Sequence, residues 1–280
     1  HSAVLEPLKR LEQQGYAVTR LAPDRSGCIT AEQVADALRE DTALVSIMLV
    51  NNETGCIFPV ADIARLLRQR GSRALLHTDA VQAFLKVPCR PGDLGVDLMS
   101  ISAHKIGGPK GIGALYIADT LRDPRPLLPG GGQEAGRRSG TEATAQMAGF
   151  ARAVELRCEN LEDKLHQMAE LKDYCRRRLL TIPGMAAVGE GTAPHILMVS
   201  LPGYPSANVV TDLGAQGICI SAGSACHRGK LSHVVQALRL DKRTAAGVLR
   251  ISFGPETTRE DIDGLYAALA AHQKNRFPML

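Results

Sequence analysis

The 280-residue sequence contains no tryptophan and only 4% aromatic residues, which leaves little material for stacking on nucleobases. Its formal charge is only +4, too small to make a nucleic-acid-binding face. No long apolar run is present. The longest, "ALVSIMLV" at 43 to 50, is far too short to span a bilayer as a helix. No cationic start followed by an apolar stretch marks a secretory signal. The seven cysteines form no CxxC pair and no regular framework, so they read as reduced thiols of a cytoplasmic protein rather than a disulfide scaffold or metal site. An initiator methionine is also missing; the chain opens on His1 and reads as a processed or partial one.

What is present is an ordinary globular composition, 45% hydrophobic and 22% charged, long enough for two domains. The first half alternates amphipathic helices with short apolar strands. Val4, Leu5, Leu8 and Leu11 recur at helical spacing, with Gly15 as the stop. "YAVTRLAP" reads as a strand, and Thr30 with Gln33 as the capping box of a helix. A strand at 43 to 50, a helix at 60 to 70, and strands "ALLHTDA", "LMSISA" and "IGALYIA" follow. Apolar strands separated by helices predict a largely parallel sheet covered on both faces. Helical patterning over 141 to 180 then leads to a smaller α+β unit: strand "ILMVSL", a helix near 206 to 215, strand "GICIS", a helix at 231 to 239, strand "VLRISF" and a final helix from about 258. The expected division is 1–150 for a large ligand-binding domain and 151–280 for a small one.

Open α/β sheets bind ligands at the carboxyl ends of their strands. The polar residues of the first half gather there: Asn51, Asn52 and Glu53 after one strand, Asp79 and Gln82 after the next, Ser102, His104 and Lys105 after a third. A lysine and a carboxylate in one crevice suit pyridoxal phosphate (PLP). The lysine amine forms a Schiff base with its aldehyde, and the carboxylate keeps the ring nitrogen protonated. Taken singly, each residue has a plainer role: Lys105 a solvated lysine, Asp79 a turn or cap, the glycines of "GGPKG" and "PGGGQEAGRRSGT" loops. In the second half, Cys226 sits among small residues with His227, Arg228 and Lys230 beside it, a setting that favours a thiolate nucleophile. Cys28, Cys56, Cys89, Cys158, Cys175 and Cys219 read as small buried fillers. Arg250, a cation within an apolar strand, is either an ion-pair partner or a clamp for a carboxylate.

"SIMLVNNETG", "HTDAVQ", "DLMSISAHKIGGPKGIGALYI", "GGGQEAGRRSGT", "SAGSAC" and "LRISFG" follow one another as in cysteine desulfurases of the NifS/IscS type, and the sequence resembles that family from His1 nearly to its C-terminus. The resemblance implies a fold type I PLP-dependent transferase: a large domain with a mainly parallel sheet and a smaller C-terminal α+β domain. It implies that Lys105 is the Schiff-base lysine, Asp79 the partner of the ring nitrogen, and Gln82 and Asn52 cofactor or substrate contacts. Ser102 and His104 resemble phosphate contacts, with Thr141 lent by the second subunit of a homodimer. His1 resembles the histidine that stacks on the ring and assists proton transfer. Arg250 resembles the substrate-carboxylate binder, and Cys226 the nucleophile that takes sulfur from L-cysteine as a persulfide, releasing alanine. The sulfur then passes to an acceptor such as an iron–sulfur scaffold protein; no metal site, nucleic acid or membrane is implied. The family's stretch before this histidine, which cradles the phosphate at a helix start, is not in this sequence, so weak or absent PLP binding is expected. Selenocysteine lyase, an aminotransferase of the same fold, and a non-catalytic fragment or binding module remain alternatives.

Overall fold

The computed structural model describes residues 1–121, 125–223 and 231–279. In chain order the first half forms α1 (Ser2–Gln13), α2 (Ala31–Asp36), β1 (Leu44–Met48), α3 (Val60–Gln69), β2 (Leu75–Asp79), α4 (Pro91–Leu94), β3 (Leu98–Ser102) and β4 (Gly113–Ile117). The helices α5 (Thr144–Cys158) and α6 (Leu161–Leu179) follow, then β5 (Ala186–Ala187), β6 (Ile196–Ser200), α7 (Ser206–Gly214) and β7 (Ser221–Ala222). The chain closes with α8 (His233–Ala237), α9 (Lys242–Ala246), β8 (Val248–Ser252) and α10 (Arg259–Asn275).

These elements make two compact units, one of residues 39–50 and 59–162, the other of 1–38, 51–58 and 163–280. The expected boundary at 150/151 falls inside α5, and the chain changes unit after that helix instead. In the first unit the sheet runs β1-β2-β3-β4, with the first three strands parallel and β4 antiparallel. Strand β2 alternates: Leu76 and Thr78 are buried, while His77 and Asp79 point to the opposite, half-covered face. The expectation of full cover on both faces therefore holds on one face only. On α3 the apolar stripe Val60, Ile63, Ala64 and Leu67 is buried, the helical spacing needed to pack one side.

The second unit is built on an antiparallel sheet, β5-β6-β8-β7, with every residue of β6 buried. Leu171, Cys175 and Leu179 of α6, Val209 and Leu213 of α7, and Ile262, Leu265 and Leu269 of α10 share its core with Leu249 and Ile251 of β8.

Local signals held where a short-range contact decides the outcome. Thr30 Oγ1 accepts from Gln33 N–H at 3.2 Å while Gln33 Oε1 accepts from Thr30 N–H at 2.8 Å, the capping box in full. The helical stretch 141 to 180 breaks into α5 and α6 at Asn160, which adopts φ +50°. Residues 16–23 form no strand; Arg20 instead folds back to grip the Glu12 carboxylate through two bonds of 2.7 and 2.6 Å. Of "GICIS" only Ser221 joins a strand, the two-residue β7, and Ile218 and Ile220 pack on the core rather than ladder. The helix expected at 231 to 239 is limited to α8. The α1 stripe forms at helical spacing, yet none of its residues is buried. Among the described residues, no helix is long and apolar enough to cross a membrane, and no cluster of three or more His, Cys, Asp or Glu side chains could hold a metal.

Candidate active site

In the first unit, parallel pairing places the carboxyl ends of β2 and β3 side by side, with Asp79 in register with Ser100. Asp79 ends its strand, and its Oδ1 accepts from Val81 N–H at 3.0 Å, which fixes the turn carrying Gln82. Two residues earlier on the same face, His77 bridges neighbouring strands. Its Nδ1 meets Ser46 Oγ at 2.8 Å and its Nε2 meets Ser100 Oγ at 2.9 Å. Burial lowers the His77 pKa, against the upward pull of Asp79, so the ring works as a neutral donor–acceptor spacer.

Strand β3 runs directly into a single 3-10 turn, Ala103–Ile106, which carries His104 and Lys105. Gly107 closes it at φ +88°, a left-handed conformation that a Cβ would strain, and its N–H returns to Ala103 O. Gly108 N–H also donates to Ala103 O, at 3.0 Å. From α5, Arg157 Nε donates to Ile106 O at 3.1 Å and ties down the far end of the turn. Ser102 Oγ lies 2.7 Å from His104 Nδ1. Lys105 is exposed and has no carboxylate partner among the described residues. Thr141 is exposed in the glycine-rich segment before α5.

This strand-end region is cationic. Desolvation, followed by the ammonium groups of Lys105, Lys110 and Lys86, lowers the His104 pKa. Lys86 itself is half-buried, with Nζ 3.4 Å from Gln82 Oε1 as its weak partner. Desolvation first, then the charges of Lys105 and Arg157, push its pKa down to about 8. Such a donor set fits PLP: an unpaired amine on Lys105, a carboxylate on Asp79 open to a ring N–H, and hydroxyl, imidazole and ammonium groups for a phosphate.

In the second unit, Asn52 and Arg250 meet as backbone to side chain: Arg250 Nη1 donates to Asn52 O at 2.9 Å and Nη2 to Ser221 Oγ at 3.2 Å. Its Nε is buried with no hydrogen-bond partner among the described residues, so the fork keeps donor capacity for a carboxylate. Asn51 Oδ1 shapes the turn by accepting from Glu53 and Thr54 N–H at 2.9 and 3.0 Å, and Ser232 Oγ donates to Glu53 Oε2 at 2.6 Å. His1 serves here as the N-cap of α1, its Nδ1 accepting from Ala3 N–H at 3.1 Å. Cys226, with His227, Arg228 and Lys230, lies outside the described residues. A cavity of about 510 Å³, lined by Thr54, Lys172, Gly191 and Met198 among others, includes none of the expected site residues. Of the cysteines read as buried fillers, Cys56 and Cys175 are buried, Cys28 and Cys89 are half-buried, and Cys158 and Cys219 are exposed.

Sequence reading missed His77, Lys86 and Arg157. His77 was detectable, because two residues from Asp79 on a strand is the same face. Arg157 was not: it reaches the lysine turn from 51 residues away.

Residues 1–265 match the family model for class-V aminotransferases. The cysteine desulfurase of a Nostoc species is 40% identical over 268 residues, covering 94% of this chain and 66% of its own, so the chain spans just under two thirds of that relative. The cysteine desulfurase IscS of Clostridium botulinum is 37% identical across 100% of this chain and 71% of its own. A solved NifS-like protein matches with a TM-score of 0.91 at 35% identity, covering 99% of this chain and 73% of that one. With a mainly parallel sheet in one unit, a smaller antiparallel one in the other and these relatives, the chain has the fold type I transferase architecture and belongs to the class-V aminotransferase family, among the cysteine desulfurases of the NifS/IscS type.

Proposed function

We propose that this chain acts as a PLP-dependent cysteine desulfurase, taking sulfur from L-cysteine and releasing L-alanine. The observation that carries the reading is the pair of strand ends in the first unit, where Asp79 closes β2 and an exposed Lys105, without a carboxylate partner among the described residues, follows the adjacent parallel β3. When bound, PLP supplies an electron sink for the substrate's Cα, chemistry no side chain offers.

The chain's own groups do the rest. Lys105 anchors the cofactor through its amine, and Asp79 holds the proton on the ring nitrogen. Ser102 and His104 bind the phosphate, with Thr141 from a second copy; Gln82 and Asn52 position cofactor and substrate. Arg250 holds the substrate carboxylate through the N–H groups its protein partners leave free. His1 assists proton transfer. The Cys226 thiolate attacks the substrate sulfur: an S–S bond forms, the C–S bond breaks, and its electron pair remains on Cβ, which takes a proton to give alanine. L-cysteine plus the Cys226 thiol thus becomes L-alanine plus a Cys226 persulfide.

A homodimer is proposed as the working state, supported by apolar surface in the first unit: Leu127 is 91% exposed, and Leu115 and Tyr116 of β4 and Met147 of α5 are exposed as well. The persulfide's acceptor is proposed to be a protein thiol, such as that of an iron–sulfur scaffold. The proposed compartment is the cytoplasm, where the six described cysteines, all free, would remain reduced.

The test is a titration of excess PLP into the chain, followed by its visible absorption. The expected result is a protein-bound band in the wild type, its loss in Lys105→Ala, and its retention in Cys226→Ser without alanine formation. An identical band in Lys105→Ala would overturn the assignment of the anchor; undiminished alanine formation in Cys226→Ser would overturn the desulfurase reading in favour of another PLP reaction.

A further inference from the structure

Two cysteines with no place in the proposed chemistry meet within the second unit. Cys28 closes a tight turn in which Asp24 N–H donates to Cys28 O at 2.9 Å. The Asp24 carboxylate locks that turn by accepting from Ser26 N–H at 2.9 Å, Ser26 Oγ–H at 2.5 Å and Cys28 N–H at 3.1 Å. Cys56 ends a second fixed turn: Asn51 N–H donates to Cys56 O at 2.9 Å, and Cys56 N–H donates to Thr54 Oγ1 at 3.1 Å. The Cys56 thiol reaches across to the first turn and donates to Ser26 O at 3.4 Å. A Cβ added at Gly27 would stand 3.3 Å from Cys56 Sγ, which shows how closely the turns approach. Ser26, whose carbonyl receives the Cys56 thiol, lies two residues before Cys28 in the same locked turn. Cys56 is fully buried and Cys28 half-buried. Burial, with the Cys28 thiol beside it, pushes the Cys56 thiol up to about 11, so it rests protonated.

We propose that Cys28 and Cys56 form a redox-sensitive dithiol that closes to an intramolecular disulfide on exposure to a small-molecule disulfide. The more accessible Cys28, as thiolate, attacks one sulfur of the small disulfide. Its S–S bond breaks, one small thiol leaves, and a mixed disulfide forms on Cys28. Cys56 then attacks the Cys28 sulfur, and its proton passes to the second small thiol as that thiol is expelled. Two protein S–H bonds are lost and one S–S bond is gained; the small disulfide is reduced to two thiols, so protons and electrons balance. Closure outcompetes a lasting mixed adduct because the two fixed turns already pack against each other through Cys56 Sγ and the Ser26–Gly27 backbone, which makes the second step effectively unimolecular. Transient, sensing disulfides of this kind are the form usual in reducing compartments.

The bond has a route to the substrate site. Cys56 ends the turn whose Asn52 carbonyl oxygen holds Arg250, and re-aiming its sulfur from Ser26 to Cys28 pulls on that turn. Oxidation is expected to raise KM for cysteine several-fold; this consequence alone rests on the desulfurase reading, while the disulfide does not.

The test uses the full chain, reduced, desalted, incubated with oxidised glutathione, then alkylated and digested without reductant. The expected map shows a Cys28–Cys56 linked peptide lighter by two hydrogens and removed by dithiothreitol. Cys56→Ser is expected to stop at a glutathione adduct on Cys28. Exposed Cys158 and Cys219 report in the same sample that the oxidant was active. Glutathione on Cys28 of the wild type with an intact Cys56 thiol would overturn the proposal, as would no reaction at either cysteine while Cys158 and Cys219 are modified. The wild-type map decides the matter even where a variant fails to fold. A linked peptide with unchanged KM would leave the dithiol standing and remove only its coupling to Arg250.

Discussion

Lys86 is the residue whose cost is easiest to measure. Its folded pKa of about 8 lies below the ordinary lysine value of 10.5, because desolvation and the neighbouring Lys105 and Arg157 disfavour its charge. Between those two values the unfolded chain binds a proton that the native one does not, so stability rises with pH across this window and the deficit is complete below about 8. Lys86→Met is expected to stabilise the chain at pH 7 by up to about 3 kcal/mol and to flatten the rise in denaturation midpoint above pH 8. An unchanged pH profile in the variant would remove Lys86 as its source. At this scale the places of Asp79 at the end of β2 and of Lys105 just past β3 were legible in sequence, because a polar residue closing an apolar strand is conspicuous without coordinates; their roles remain the proposal. Lys86 was not: its perturbation comes first from burial and then from Lys105 and from Arg157, 71 positions further on, and no local pattern records that packing. His77 falls between the two, since strand alternation places it beside Asp79 but cannot show the serines on either side.

Among the elements, β3 and β4 carry the most consequence for the site, because the lysine turn hangs from their paired end. Gly113 is in register with Ser102, and a Cβ there would lie 2.5 Å from Ile101 O. Gly113→Val is expected to open that end of the ladder, lower stability by roughly 1–3 kcal/mol, and weaken PLP binding far more than Gly111→Asn, whose surroundings are open. Equal PLP affinities in the two variants would contradict the coupling. Helix α10 offers a cleaner measurement. Thr258 and Asp261 form a reciprocal capping box, and Thr258→Ala is expected to cost about 1 kcal/mol in chemical denaturation without touching the cofactor band. The elements legible in sequence were those with internal signals: the Thr30 capping box and the buried apolar strands. "YAVTRLAP" and "GICIS" were misread because β-propensity reports a side chain's fit to a pleated surface, while a strand also needs a neighbour to pair with.

For the molecule as a whole, the division into units was only partly legible. Composition and helix length announced a change after 141, but no sequence signal assigns 1–38 and 51–58 to the unit of the C-terminal half, because that assignment comes from packing. The exposed Leu115, Tyr116, Leu127 and Met147 lead to the expectation that light scattering will find a dimer, and that Leu127→Glu will shift it toward monomer. A monomeric wild type would remove Thr141 from the proposed cofactor set. The most direct measurement of the central claim is mass spectrometry of the Cys226 peptide after the chain is given PLP and L-cysteine, without reductant. The expected result is a Cys226 peptide heavier by one sulfur atom, with alanine formed in equal amount, both absent in Lys105→Ala. Alanine or another product appearing while Cys226 stays unmodified would contradict it.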